Sequence, residues 1–143
     1  MGSEIEIYSA DRSTKLSLEN AGPQISAGFP SPAEDYLEAA LDLNKDLIRN
    51  PSATFYGRVK GLSMKDAGVD NGDLLIIDKS LDYRRDALAV CFINGEFTLK
   101  KIVTKGKQIT LMPANKDYQP IEVPADANFM IWGIVTYIIK KVY

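Results

Sequence analysis

No histidine occurs in the 143 residues, and cysteine occurs once. Histidine-based catalytic triads, Cys-His pairs and histidine-bearing zinc sites are therefore excluded within the chain, as is an internal disulfide. No metal and no cofactor are expected. The lone Cys91 lies in the continuous apolar run Leu88-Ala89-Val90-Cys91-Phe92-Ile93, which reads as a buried small hydrophobe and not as redox chemistry. No apolar run approaches the roughly 18 residues that span a bilayer. Met1-Gly2-Ser3-Glu4 lacks the charged-then-apolar order of a secretory leader. The expectation is a cytoplasmic protein with no membrane attachment. A basic excess is also missing: the net charge is −2, so no direct nucleic-acid binding is expected, since phosphate contacts need a concentrated positive face.

What is present suits one domain with a core plus an arm: 45% of residues are hydrophobic and 25% charged. Ile5 and Ile7 alternate with Glu4 and Glu6, and Leu16 and Leu18 alternate with Lys15 and Ser17, so two short edge-type strands are expected. Ala21 to Pro30 is rich in small residues, glycine and proline and reads as an extended, exposed linker. Ser31-Pro32-Ala33-Glu34 combines a cap, a first-turn proline and a capping-box glutamate, which predicts a helix to about Leu41. Asp42 is read as a second cap, for a shorter helical turn carrying Leu43, Leu47 and Ile48 and stopped by Asn50-Pro51. From Thr54 the pattern is β. Strands are predicted over 54–59, 74–78, 87–93, 96–103, 108–112 and 129–142, with Asn94-Gly95 as a tight hairpin turn and Pro113, Pro120 and Pro124 breaking a loop. The predicted fold is mostly β, with about six or seven strands, a short helical segment at its start and an N-terminal arm.

The stretch with chemical content is Gly61-Leu62-Ser63-Met64, just after the strand Phe55-Tyr56-Gly57-Arg58-Val59. Glycine permits a backbone conformation that other residues resist, and so lifts the following serine out of the regular ladder. With histidine absent, a nucleophilic Ser63 needs a lysine, a carboxylate or the chain's own amino terminus as its base, and Ser-Lys pairing is the established variant. Such a lysine must be held neutral by burial. Neutralising an exposed lysine at pH 7 costs about 4–5 kcal/mol. Two candidates stand in Glu96-Phe97-Thr98-Leu99-Lys100-Lys101. Alternation puts Phe97, Leu99, Lys101 and Val103 on one face and Glu96, Thr98, Lys100 and Ile102 on the other. Periodicity does not choose between them, though the more apolar face favours Lys101.

Gly61-Leu62-Ser63-Met64-Lys65-Asp66, then Gly72-Asp73-Leu74-Leu75, then Glu96 to Lys101, in this order and at this separation, resembles the LexA/UmuD family of self-cleaving Ser-Lys peptidases. The opening Ala27-Gly28-Phe29-Pro30-Ser31-Pro32-Ala33-Glu34-Asp35-Tyr36 and the later Asp42-Leu43-Asn44 and Pro51-Ser52-Ala53-Thr54 are similar to its UmuD branch. The likeness covers roughly residues 25 to 140. It implies Ser63 as nucleophile, Lys100 as base, and Ala27-Gly28 as the scissile bond, and it overrides the face argument for Lys101. Backbone N–H groups at Ser63 and Met64 are the candidates for holding the oxyanion. It further implies a removable arm, residues 1–27, ahead of a catalytic and accessory domain, residues 28–143. The implied setting is the SOS response to DNA damage. The implied partners are a second copy of the chain, an error-prone translesion polymerase of the UmuC type, and a RecA filament on single-stranded DNA as activator. A LexA-like transcriptional regulator fragment and a non-catalytic interaction domain are the alternatives. Residues 129–142, read as a long apolar strand at a sheet edge, are the expected dimer surface.

Overall fold

The computed structural model describes residues 4–10 and 40–143. The chain divides into two compact units, one of Met1–Ala10 with Asn50–Tyr143 and one of Asp11–Arg49. In the second unit the described regular element is a short helix, α1 (Leu43–Leu47), whose cap is Asp42; its carboxylate accepts from the Asn44 N–H at 3.0 Å. That matches the second cap read from the sequence. Of the helix expected up to Leu41, Ala40 and Leu41 are not helical and the rest lies outside the described residues, as does the expected strand around Leu16 and Leu18.

The first unit is one antiparallel sheet of eight strands: β1 (Ile5–Ser9), β2 (Thr54–Val59), β3 (Leu74–Asp78), β4 (Ala89–Ile93), β5 (Glu96–Lys105), β6 (Gln108–Met112), β7 (Ile121–Val123) and β8 (Phe129–Ile139). Their order is β1-β2-β3-β8-β4-β5-β6-β7. The mostly β expectation holds, and three predicted strands keep their bounds. The additional strand, β7, sits between Pro120 and Pro124, where proline had argued for loop, and among the described residues it pairs with β6 alone. The hairpin turn falls at Asn94 (φ 48°) and Gly95 (φ 86°), the left-handed pair that a tight two-residue turn requires.

The sheet curls. Opposite β3 the register of β8 slips at Ile76/Ile77, and opposite β4 it slips at Val90/Cys91. Extra residues of this kind bend a strand and increase its twist. The curl is deep enough that β1, five places from β5 in the sheet, still reaches it: the Glu4 N–H donates to the Phe97 carbonyl at 3.1 Å. Apolar side chains fill both faces. Ile5, Val59, Met64, Val69, Leu75, Ile77, Val90 and Leu99 form one cluster, and Ala89, Cys91, Ile102, Leu111 and Ile134 form another. Fully burying each Ile, Leu or Val contributes roughly 1.5–3 kcal/mol. Burial also pushes the Cys91 thiol up to about 12 against the opposing charge of Lys100, so it stays a packed thiol.

One expectation is corrected. β8 is not an edge strand; it runs between β3 and β4, so the edge-pairing argument for residues 129–142 fails. The run looked like an edge because its outward side chains are apolar, and Met130, Tyr137, Ile138 and Ile139 are indeed exposed. Among the described residues, no helix is long and apolar enough to cross a membrane.

Candidate active site

After β2 the chain leaves the sheet and turns at Gly61, whose φ of 103° lies in the region that L side chains resist. The Gly61 N–H donates to Asn71 Oδ1 at 3.0 Å. Ser63 follows, with 5% of its surface exposed, and then Met64 with 2%. The loop after β6 clamps this turn. Asn115 Nδ2 donates to the Leu62 carbonyl at 2.7 Å, the Asp66 N–H donates to the Ala114 carbonyl at 2.6 Å, and the Ala114 N–H reaches Met64 Sδ at 3.3 Å. An ordinary turn serine would be solvated. Ser63 is instead buried in a turn fixed on both sides. Among the described residues, neither the Ser63 nor the Met64 backbone N–H has an acceptor.

Lys100 comes from β5, a strand that changes partner midway. Its residues Glu96–Lys100 pair with β4, and Lys101–Lys105 pair with β6 on the opposite side. Lys100 is thus the last residue of the first half, and among the described residues no strand pairs with the edge of that half facing away from β4. There Lys100 Nζ lies 2.9 Å from Ser63 Oγ, 3.0 Å from Thr98 Oγ1, 3.1 Å from the Leu99 carbonyl and 2.6 Å from Glu4 Oε2. Only 2% of Lys100 is exposed. Burial pulls its pKa below the ordinary lysine value, and the hydrogen bond and charge of Glu4 oppose that pull without cancelling it.

Of the two lysines left open by periodicity, Lys101 is half-buried and pairs across the ladder with Met112, while Lys100 meets the serine. The apolar-face argument for Lys101 fails for a physical reason. Both faces of this strand are packed, Leu99 in one cluster and Ile102 in the other, so relative greasiness cannot tell inside from outside.

Two residues of the site went unread in the sequence. Thr98 lies two positions before Lys100 on the same face of β5, and that spacing was the available signal. Glu4 gave none beyond its alternation with Ile5. Its carboxylate accepts from Thr98 Oγ1 at 2.5 Å and from the Leu99 N–H at 3.1 Å, besides the ion pair with Lys100. Burial disfavours its charge, but the hydrogen bonds from Lys100 and Thr98 outweigh that and hold its pKa below the usual carboxylate range. Ala27 and Gly28 lie outside the described residues.

Chemically, the arrangement offers a fixed hydroxyl, an amine weakened as a cation by burial, and two backbone donors next to the hydroxyl. These are the parts of serine acyl transfer without histidine. Comparison with known proteins agrees with this chemistry. Residues 19–136 match the family described as Peptidase S24-like. The chain is 41% identical to the MucA protein of Salmonella typhimurium over 115 residues, covering 80% of this chain and 78% of MucA. It is 44% identical to the SamA protein of Salmonella typhimurium strain LT2, covering 80% of this chain and 79% of SamA. It is also 35% identical to the LexA repressor of Edwardsiella ictaluri, covering 96% of this chain and 71% of the repressor. By the extent of these matches, the chain belongs to the Peptidase S24-like family of self-cleaving serine peptidases.

Proposed function

We propose that the chain cuts its own Ala27-Gly28 bond with Ser63 as nucleophile and Lys100 as general base. The observation that carries this reading is the 2.9 Å approach of Lys100 Nζ to Ser63 Oγ in a site where both residues are buried. Neutral Lys100 takes the hydroxyl proton of Ser63 as Oγ attacks the Ala27 carbonyl carbon. The oxyanion forms beside the N–H groups of Ser63 and Met64. Collapse breaks the C–N bond, and the Lys100 ammonium gives its proton to the departing amine of Gly28. Water then attacks the Ala27 ester, Lys100 takes the water's proton and returns it to Ser63 Oγ, and the Ala27 carboxylate leaves. Residues 1–27 are shed and 28–143 remain.

The resemblance to the UmuD branch, together with the similarity to MucA and SamA, supports a role in the SOS response for the processed form, as accessory subunit of an error-prone translesion polymerase of the UmuC type. On this reading the chain works as a homodimer in the cytoplasm, and a RecA filament on single-stranded DNA promotes the cut. The similarity to a LexA repressor favours a second reading, a self-cleaving transcriptional regulator. Intact-mass analysis of the purified chain over time, beside Ser63→Ala, tests the cleavage. A new large fragment beginning Gly28-Phe29-Pro30, absent from Ser63→Ala, is expected. A different first residue overturns the assigned bond, and equal fragmentation of Ser63→Ala overturns the nucleophile.

A further inference from the structure

The N-terminal segment that the proposed cut removes is also the segment that touches the catalytic pair. β1 joins the sheet edge beside β2 with Ile5 opposite Val59, and Ile5 is 1% exposed. Its side chain fills space above Gly57, where a Cβ would overlap it. That packing fixes the register of β1, so the residue just before it is placed with little freedom. The Lys60 N–H donates to the Glu4 carbonyl at 2.6 Å, and the Glu4 N–H donates to the Phe97 carbonyl. Glu4 is thereby laid along the open edge of β5, with its carboxylate on Thr98, Leu99 and Lys100.

Two consequences follow from chemistry alone. A base must be neutral to accept a proton, and a carboxylate 2.6 Å from an amine favours the ammonium. An extended peptide docking at a strand edge needs that edge's backbone groups, and Glu4 already uses the Phe97 carbonyl and the Leu99 N–H. We propose that Glu4 is a removable carboxylate lock on the Ser63–Lys100 pair, holding the proton on Lys100 until β1 is withdrawn or the carboxylate is neutralised. The proposal rests on the reading of Ser63 and Lys100 as the cleaving pair. Around Lys100, β4 presents the buried thiol of Cys91, β5 itself presents Thr98, the turn presents Ser63, and the N-terminal segment presents Glu4; among the described residues Glu4 is the charged group in contact with it. Unlike Lys100, the Glu4 side chain is 27% exposed, so solvent or a partner can reach it. An activator that competes for β1 would act on the base without touching it.

The test uses the full chain and two readouts. In Ser63→Ala, which cannot cut itself, the Lys100 side chain is titrated by lysine 13Cε NMR with Glu4 intact, with Glu4→Gln, and with Glu6→Gln as control. Glutamine keeps the shape and hydrogen bonding of Glu4 and removes its charge. Glu6 pairs with Lys60 at the surface and should leave Lys100 unchanged. With Glu4→Gln the neutral fraction of Lys100 at pH 8 should rise about tenfold or more. In the chain with Ser63 intact, activator-free cleavage at pH 7–8 should rise by a similar factor. Identical Lys100 titrations with and without the Glu4 charge overturn the lock, whatever the cleavage rates. A shifted titration with cleavage that is present but no faster also overturns it. A shifted titration with no cleavage in any chain up to pH 10 supports the hold on the proton and overturns the self-cleavage reading instead.

Discussion

Because β5 changes partner between Lys100 and Lys101, each of its halves has, among the described residues, one edge without a paired strand, and the two edges are covered by different means. Beside the second half, the Tyr83 hydroxyl donates to the Ile102 carbonyl at 2.7 Å and accepts from the Ile102 N–H at 3.1 Å. Beside the first half, Glu4 supplies a backbone N–H to Phe97 and a carboxylate to Leu99 and Lys100. Tyr83 belongs to the connection between β3 and β4 and stays with the domain whatever happens at the N-terminus. Glu4 lies in the part that the proposed cut discards. Both satisfy backbone groups that would otherwise need water, but one closure is built in and the other can leave. The Ser63–Lys100 pair sits behind the one that the proposed cut would remove.

The largest expected effect separates the two halves at their junction. Lys100→Ala should reduce self-cleavage about a hundredfold or more, because it removes the proposed general base. Lys101→Ala should stay within about threefold, since a half-buried lysine away from the serine belongs to the ladder with β6. Fragment appearance on gels or by mass reports both. Retained cleavage in Lys100→Ala with loss in Lys101→Ala would exchange their roles.

A smaller effect is expected at the permanent closure. Tyr83→Phe deletes both hydrogen bonds to Ile102 and should destabilise the domain by about 1–2 kcal/mol in urea unfolding. Cleavage under folding conditions should be unchanged. A large loss of cleavage without loss of stability would mean that the second half of β5 positions Lys100 after all, and that the halves are not independent.

The same junction explains what could be read in advance. β2, β3 and β6 were legible to the residue because their apolar runs end at turn signals such as Asn71-Gly72-Asp73 and Lys105-Gly106-Lys107. The Ser63 turn was legible because Gly61 has few alternatives for a φ of 103°. Lys100 was not, because alternation identifies an inner face only when the other face is wet, and this strand is packed on both. β7 was hidden by its flanking prolines. Glu4 was hidden by distance along the chain, 96 positions from Lys100, a contact created by the curl of the sheet and not by any local pattern. Family resemblance pointed to Ser63 and Lys100, which the structure places 2.9 Å apart, but its match began only near residue 25 and carried no signal for Glu4.

The central claim is that a buried lysine, not a histidine, sets the rate of self-cleavage, and its pH dependence tests this most directly. Burial holds the Lys100 pKa below the ordinary value of 10.5, so its neutral fraction rises with pH about tenfold per unit and levels off before an exposed lysine would. The measurement is the first-order rate of fragment appearance without activator, from pH 7 to 10, with circular dichroism confirming the fold at each point. The account predicts a rate that climbs with pH and then levels off, abolished throughout by Ser63→Ala. A flat profile, from a chain that is folded and cutting at every pH, would contradict it.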